Sequence, residues 1–333
     1  MVALMPDGPR PPNPFDPTRA AYKDWLHVNF FDHESGCVGL INASLHGDPA
    51  DPRATAVGAA LLHVPQSGWF GNVEVFRAAG ARVGLSSIAL PNAAIAIDSA
   101  LGRVVVAAKI GALEIELEAT ATSFGYELPG AVAFGSGWMS WAVVPRLTIR
   151  GTVRLDGRVF RLDGASAYQD HNWGRWHWGD GGRWEWGAFL APDAGPAFVL
   201  ARPTNRARTA IAPPTLMVVH GSRRRTFAGA SVEVRYEGVL DVRLRRLPGV
   251  LAAMHQDRAR PRLPERVHVR CRDGIDEVTI AFIATDAAQL IAGDPAVPGY
   301  AFIHELAGTF EASGRVGGTD VRTSGLGVFE YLL

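Results

Sequence analysis

At 333 residues the chain is long enough for two domains, each with its own core. Thirty-three basic residues balance thirty-three acidic ones, so no global field draws nucleic acid or an anionic membrane to it. The two cysteines, Cys37 and Cys271, exclude a disulfide framework and lack zinc-type spacing, which fits free thiols in a reducing compartment.

Met1 to Pro17 is rich in proline and polar residues and has no apolar segment of the signal-peptide kind. No run of about 18 apolar residues occurs, so the expectation is a cytoplasmic protein with at most peripheral membrane contact. Trp25 to His33 follows, with His27, Asn29, Asp32 and His33 along it. Burial tendencies favour a packed strand with wet polar tips over cavity-facing groups there. Trp69 to Phe76 is a further strand. Arg103 to Lys109 leads into Leu113 to Glu118, where apolar and acidic residues alternate strictly, as one buried and one wet face require. Gly135-Ser136-Gly137 is a turn and not a nucleophile elbow. Trp138, Trp141 and Pro145-Arg146 precede a strand over Leu147 to Leu155, and Asp156-Gly157 has two-residue hairpin chemistry.

The densest chemistry comes next, in Tyr168-Gln169-Asp170-His171-Asn172-Trp173-Gly174-Arg175-Trp176. In an extended strand Ser166, Tyr168, Asp170 and Asn172 share one face, and Gln169, His171 and Trp173 share the other. The loop Gly179-Asp180-Gly181-Gly182 then leads to Trp184 and Trp186 around Glu185, which predicts a hairpin with a ring-rich face. Arg223-Arg224-Arg225 is a solvated turn. Ser231 to Tyr236, Val267 to Cys271 and Val278 to Ile283 are strands, with hairpin turns at Asp273-Gly274 and Gly317-Gly318. Asp286 to Ile291 predicts a turn or two of helix capped by Asp286. So many short strands predict an all-β protein of sandwich or barrel type.

An internal repeat divides the chain. Gly157-Arg158-Val159-Phe160-Arg161-Leu162-Asp163-Gly164 can be laid on Gly318-Thr319-Asp320-Val321-Arg322-Thr323-Ser324-Gly325 without a gap, so that Tyr168 meets Phe329 and Asp170 meets Tyr331. This implies two related β domains, 1–200 and 201–333, joined somewhere in the turn-rich stretch 191–214. The second copy has no Asp-His-Asn-Trp run, so Asp170 to Trp176 needs an explanation other than the fold.

Tyr168-x-Asp170-x-Asn172-Trp173-Gly174, with Trp141, Pro145-Arg146 and the closing Gly325-x-Gly327-x-x-Glu330-Tyr331, resembles the carotenoid 1,2-hydratase family. That family groups with attachment-H-like and tocopherol-cyclase-like proteins and with lipocalin-like pericyclases of polyketide pathways. The resemblance implies two lipocalin-like antiparallel β-barrel or sandwich domains, an apolar cavity, no metal and no organic cofactor. It also implies that Asp170 is the proton donor to an isoprenoid double bond, with Tyr168 beside it. A His-x-Trp pair expected upstream is matched only by Met139-Ser140-Trp141. The tryptophan carries over and the histidine does not, which counts against water addition and leaves cyclisation or isomerisation open.

On the residues alone, an acid among rings suits protonation of an alkene, because apolar burial keeps a carboxyl protonated and ring faces stabilise a cation. The catalytic candidates are Asp170, Tyr168, His171 and Asn172. The substrate-binding candidates are Trp138, Trp141, Trp173, Trp176 and Trp186, with Glu330 and His304 as further cavity residues from the second domain. Spacing offers no third and fourth ligand beside Asp170-His171 or His177-x-x-Asp180, so no metal is expected. The expected partner is an apolar small molecule, with no nucleic acid, bound by a monomer or homodimer. Three other readings stay open: a carrier, which would need the rings but no acid; a cavity that shapes a polyene for a pericyclic step; and a structural corner in which Asp170 ties backbone N–H groups.

Overall fold

A computed structural model describes residues 7–255, 261–293 and 299–333; positions 1–6 of the proline-rich N-terminal stretch lie outside it. The fold is all-β and consists of two large sheets. The first holds β1 (Tyr22–Asp32), β2 (Cys37–His46), β3 (Thr55–Val64), β4 (Gly68–Arg77), β5 (Arg82–Gly84), β6 (Ser87–Ala89), β7 (Ala93–Asp98), β8 (Arg103–Ile110), β9 (Leu113–Ala121), β10 (Tyr126–Glu127), β11 (Val132–Phe134), β12 (Gly137–Leu155), β13 (Arg158–Arg161) and β14 (Ser166–Arg175). The second holds β15 (Arg183–Leu190), β16 (Ala197–Thr204), β17 (Thr215–His220), β18 (Arg223–Ala228), β19 (Val232–Glu237), β20 (Arg245–Leu247), β21 (Arg266–Asp273), β22 (Asp276–Gly293), β23 (Tyr300–Val316) and β24 (Thr319–Leu332). Among the described residues the only α-helix is α1 (Gly249–Met254).

The two sheets repeat one plan. The first runs β4-β3-β2-β1-β14-β12-β9-β8-β7-β6-β5, and the second β18-β17-β16-β15-β24-β23-β22-β21-β19. In each, four strands meander and the first of them then pairs with the last strand of its unit. Strands pair antiparallel throughout, apart from the parallel contact of β20 with β22. The sequence repeat falls on equivalent hairpins. Asp156-Gly157 turns β12 into β13 with φ of +48° and +81°, and Gly317-Gly318 turns β23 into β24 with φ of +58° and +77°. Two successive left-handed residues match the twist of the flanking strands, and Gly or Asp adopts them at little cost. At the third expected turn the two-residue loop is Gly274-Ile275, because Asp273 pairs with Asp276.

Alternation sets the cores. In β8 and β9 every second residue is buried. Leu26, Val28 and Phe30 of β1 join them inside the curl of the first sheet. Phe189, Phe198, Phe282, Phe310 and Phe329 centre the second core. A third cluster joins the sheets, with Phe31 and Tyr168 packing on Ala188, Leu190, Val199 and Val328.

Two expectations are corrected. Asp286 to Ile291 is not helical but continues β22, after a register shift between Ala284 and Asp286. This stretch is largely buried on both faces, so it lacks the period-two signature that separates a strand from a buried helix. The hairpin expected across Gly179 to Gly182 does not form either. β14 and β15 belong to different sheets, and β15 pairs with β16 and β24. The chain therefore changes sheet between Arg175 and Arg183, upstream of the 191–214 stretch. Asp180 fixes this crossover by accepting bonds from the Ser136 backbone N–H (2.7 Å) and hydroxyl (2.7 Å) and the Gly182 N–H (3.2 Å).

Candidate functional site

β14 lies between β1 and β12, and register decides what surrounds its motif. Asp170 is directly opposite His27 on one side and Val143 on the other. Asn172 is opposite Trp25 and Trp141, and Tyr168 is opposite Asn29. Paired residues project to the same face of a pleated sheet. This face looks toward the second sheet, where Trp186 pairs with Glu330 and Glu330 with Glu305. Between the two faces lies a cavity of about 400 Å³, lined by these residues, Asn29 excepted, together with Leu40, Asn42, Trp178, Trp184, Leu290 and Ile303.

Hydrogen bonds order its polar groups. Asn172 Nδ2 donates to Asp170 Oδ1 at 2.6 Å. Trp186 Nε1 donates to the Tyr168 hydroxyl at 3.2 Å, and Tyr168 in turn hydrogen-bonds to Asp170. Burial raises the Asp170 carboxyl to about 8; the Tyr168 bond opposes this and the nearby Glu330 charge adds to it. Asp170 therefore carries a proton at neutral pH. His27 is a neutral neighbour: its Nε2 bonds Asn29 Oδ1 (2.8 Å), its Nδ1 faces Asn42 Nδ2 (3.4 Å), and burial lowers it to about 4.

On the facing wall, burial and the neighbouring Glu330 charge hold the Glu305 carboxyl far above its usual range. Burial also raises Glu330, against hydrogen bonds from Glu305 and from Trp184 Nε1. Two adjacent carboxyls in such a wall cannot both ionise, so the pair holds at least one proton. Glu305 is the donor and Glu330 the acceptor.

The candidate residues fall into two groups. Tyr168, Asp170, Asn172, Trp141 and Trp186 meet at the cavity, and so does Glu330. His171, Trp173, Trp138 and Trp176 are not among its lining. Strand alternation turns His171 to the back of β14, where Nδ1 meets Asp7 at 2.5 Å and Nε2 meets Asp24 at 3.0 Å. Burial alone would lower this imidazole, but the two carboxylates outweigh it and raise it to about 9. Trp173 is also behind the sheet, under the Arg10 guanidinium at 3.7 Å, and Trp138 packs beside it. Trp176 stacks edge-on behind Trp25, at 5.4 Å between ring centres. His304 turns away to Gln289 and the Tyr331 carbonyl.

Other lining residues were less visible in the sequence. Burial tendencies alone favour strand packing for Trp25 and His27, but period two places them with Asp170 once β1 pairs with β14. Glu305 carries no motif, although it stands on one face with Ile303 and Ala307. A carboxylate in an apolar stripe is the signal that marks it. Met139, where the resemblance expects a histidine, lines the cavity on the same face as Trp141 and pairs with Gly174. His27 is the histidine that stands beside Asp170.

No family model and no curated protein matches the sequence. The same fold recurs in solved structures. A protein of Nitrosomonas europaea described as an AttH candidate superposes with a TM-score of 0.66 at 16% identity, over 97% of this chain and 98% of its own. Kievitone hydratase from Nectria haematococca gives 0.62 at 13%, over 99% and 98%. CghA in complex with Sch210972 gives 0.62 at 12%, over 99% and 96%. Among the described residues no group of three or more His, Cys, Asp or Glu is disposed to hold a metal, and no helix is long and apolar enough to cross a membrane.

Proposed function

We propose that the protein is a cofactor-free acid catalyst that converts an apolar, unsaturated small molecule of isoprenoid or polyene type. One observation carries the reading: a carboxyl protonated at neutral pH opens into a tryptophan-lined cavity between two sheets. In the first step the Asp170 proton passes to an alkene carbon, forming a C–H bond and leaving a tertiary cation on the neighbouring carbon. Asn172 and Tyr168 hold the carboxyl in place and stabilise the carboxylate it becomes. Trp25, Trp141 and Trp186 present rings to the cation. Cyclisation, isomerisation or capture of water then follows. Neutral His27, across the strand from Asp170, is suited to orient a water, which returns hydration to the possible outcomes.

The hydratase among the structures of this fold is in keeping with such chemistry, at the level of the fold. CghA, crystallised with Sch210972, offers the second reading, a cavity that folds a polyene for a pericyclic step. Asp170→Asn separates the two against a panel of prenylated and polyene compounds. The acid reading expects turnover to fall by about 10²–10⁴-fold with ligand binding, followed by tryptophan fluorescence, almost unmoved. A normally folded Asp170→Asn protein with full turnover excludes Asp170 as the proton donor. A changed product ratio at a largely retained rate favours the pericyclic reading.

A further inference from the structure

The Glu305–Glu330 pair has no part in delivering the proton, yet it lies in the same cavity wall as the rings. The two residues are directly opposite on β23 and β24 in the cavity wall, Glu305 buried and Glu330 half-buried. Trp186, bonded to the Tyr168 hydroxyl, is directly opposite Glu330 on the other side. Glu305 keeps one buried carboxyl oxygen, Oε2, without a hydrogen-bond partner. A structural tie between sheets would use all its oxygens on the protein. Buried carboxyls in an apolar wall are costly, and the second sheet gains no cross-sheet bond from them.

We infer that Glu330, hydrogen-bonded by Glu305, is the proton acceptor that closes the reaction begun by Asp170, and that its charge faces the cationic intermediate. This rests on the acid reading of Asp170. The balance is complete without another reactant in cyclisation or isomerisation. Asp170 loses a proton to the alkene, and Glu330 takes one from the carbon beside the cation as the new double bond forms. In hydration the water oxygen bonds to the cation and its surplus proton goes to Glu330. Either way Asp170 ends as a carboxylate and the glutamate pair fully protonated. One proton passing from the pair to Asp170 resets the site, and Asp170 interacts electrostatically with both glutamates. With Glu305 holding the resting proton, the pair carries a single negative charge between cycles, as a cation requires of the wall it faces.

The charge can be tested without knowing the substrate. Hexyltrimethylammonium mimics a tertiary cation on an apolar tail, and 2,2-dimethyloctane is its uncharged isostere. Titrated against the intact protein with tryptophan emission as readout, the cation should bind at least about tenfold more tightly, since a buried opposite charge is worth more than that at moderate effective dielectric. Glu330→Gln should abolish the preference, while Asp170→Asn and Glu305→Gln keep it, the latter because its amide still donates to Glu330. Absence of the preference in the wild type, or its survival in a folded Glu330→Gln protein, overturns the inference. Loss in Glu305→Gln with retention in Glu330→Gln assigns the charge to Glu305 and overturns it too. Turnover of prenylated compounds separates the two proposals. An inactive Asp170→Asn beside a fully active Glu330→Gln defeats this inference alone, whereas full activity in both defeats the acid reading.

Discussion

Tyr168 stands between two groups that ask different things of it. Its oxygen accepts from Trp186 and its hydroxyl bonds to Asp170, which pulls the Asp170 carboxyl down against the effect of burial. Removing that hydroxyl leaves the burial and the Glu330 charge less opposed. Tyr168→Phe should therefore move the alkaline limb of the pH–rate profile, expected near the Asp170 value of about 8, to higher pH. A limb that moves to lower pH, or stays in place, would show that Tyr168 does not tune the acid. The motif around Asp170 was legible because acid, phenol and amide recur at every second position of one strand. The four aromatic and imidazole groups assigned to the site from proximity in sequence fared differently. Alternation turns His171 and Trp173 to the opposite face, and Trp138 lies beside Trp173. Trp176 comes after the end of β14, where period two no longer applies. Glu305 was hidden for the converse reason: its partners are distant in sequence, and only strand pairing brings Glu330 and Asp170 to it.

At the level of elements, the long strand β12 is what holds β14 and its acid against the cavity. It approaches very closely at its start. A Cβ added to Gly137 would lie 1.7 Å from the backbone oxygen of Arg175, at the end of β14. A backbone oxygen in a paired strand cannot swing aside as a side-chain tip can. Gly137→Ala should thus destabilise the fold by about 2–4 kcal/mol, in the range of enforced backbone shifts, and shift the chemical-denaturation midpoint accordingly. An unchanged midpoint would mean that the β12–β14 edge yields freely. Strands of this kind were readable wherever one face is wet, as in Leu113 to Glu118. They were not readable where both faces are buried, as in Asp286 to Ile291, or where a hairpin and a crossover share the same glycine-rich chemistry, as in Gly179 to Gly182. Both ambiguities are settled by what lies across the sheet.

The whole molecule is two copies of one strand plan that enclose a cavity neither sheet closes alone, and the cost is a set of ionisable groups buried along the join. Their shifts fix how stability depends on pH. The Asp170 carboxyl is raised from 3.8 to about 8, so its contribution is fully present below the lower value and lost as pH rises through the higher. The raised carboxyls of Glu305 and Glu330 act in the same direction. His171, raised from 6.5 to about 9 by Asp24 and Asp7, ties the N-terminal segment to the back of β14. Its contribution is present below 6.5 and lost as pH rises through 9. His27 and His304 are lowered to about 4 by burial, so their contribution is present above 6.5 and lost as pH falls through 4. Between about pH 4.5 and 6.5 the gain from the two imidazoles is offset by the carboxyl losses, so the melting temperature should change little there and then fall steadily from about pH 6.5 toward pH 9. His171→Gln isolates one alkaline contribution that lies outside the cavity, a shift worth roughly 3 kcal/mol at about 1.4 kcal/mol per pH unit. The variant should melt lower than the wild type at pH 6 and approach it at pH 9.5, because by then the wild-type imidazole has lost its charge. A constant gap between the two proteins across that range would show that His171 is held by packing and not by its pair of carboxylates.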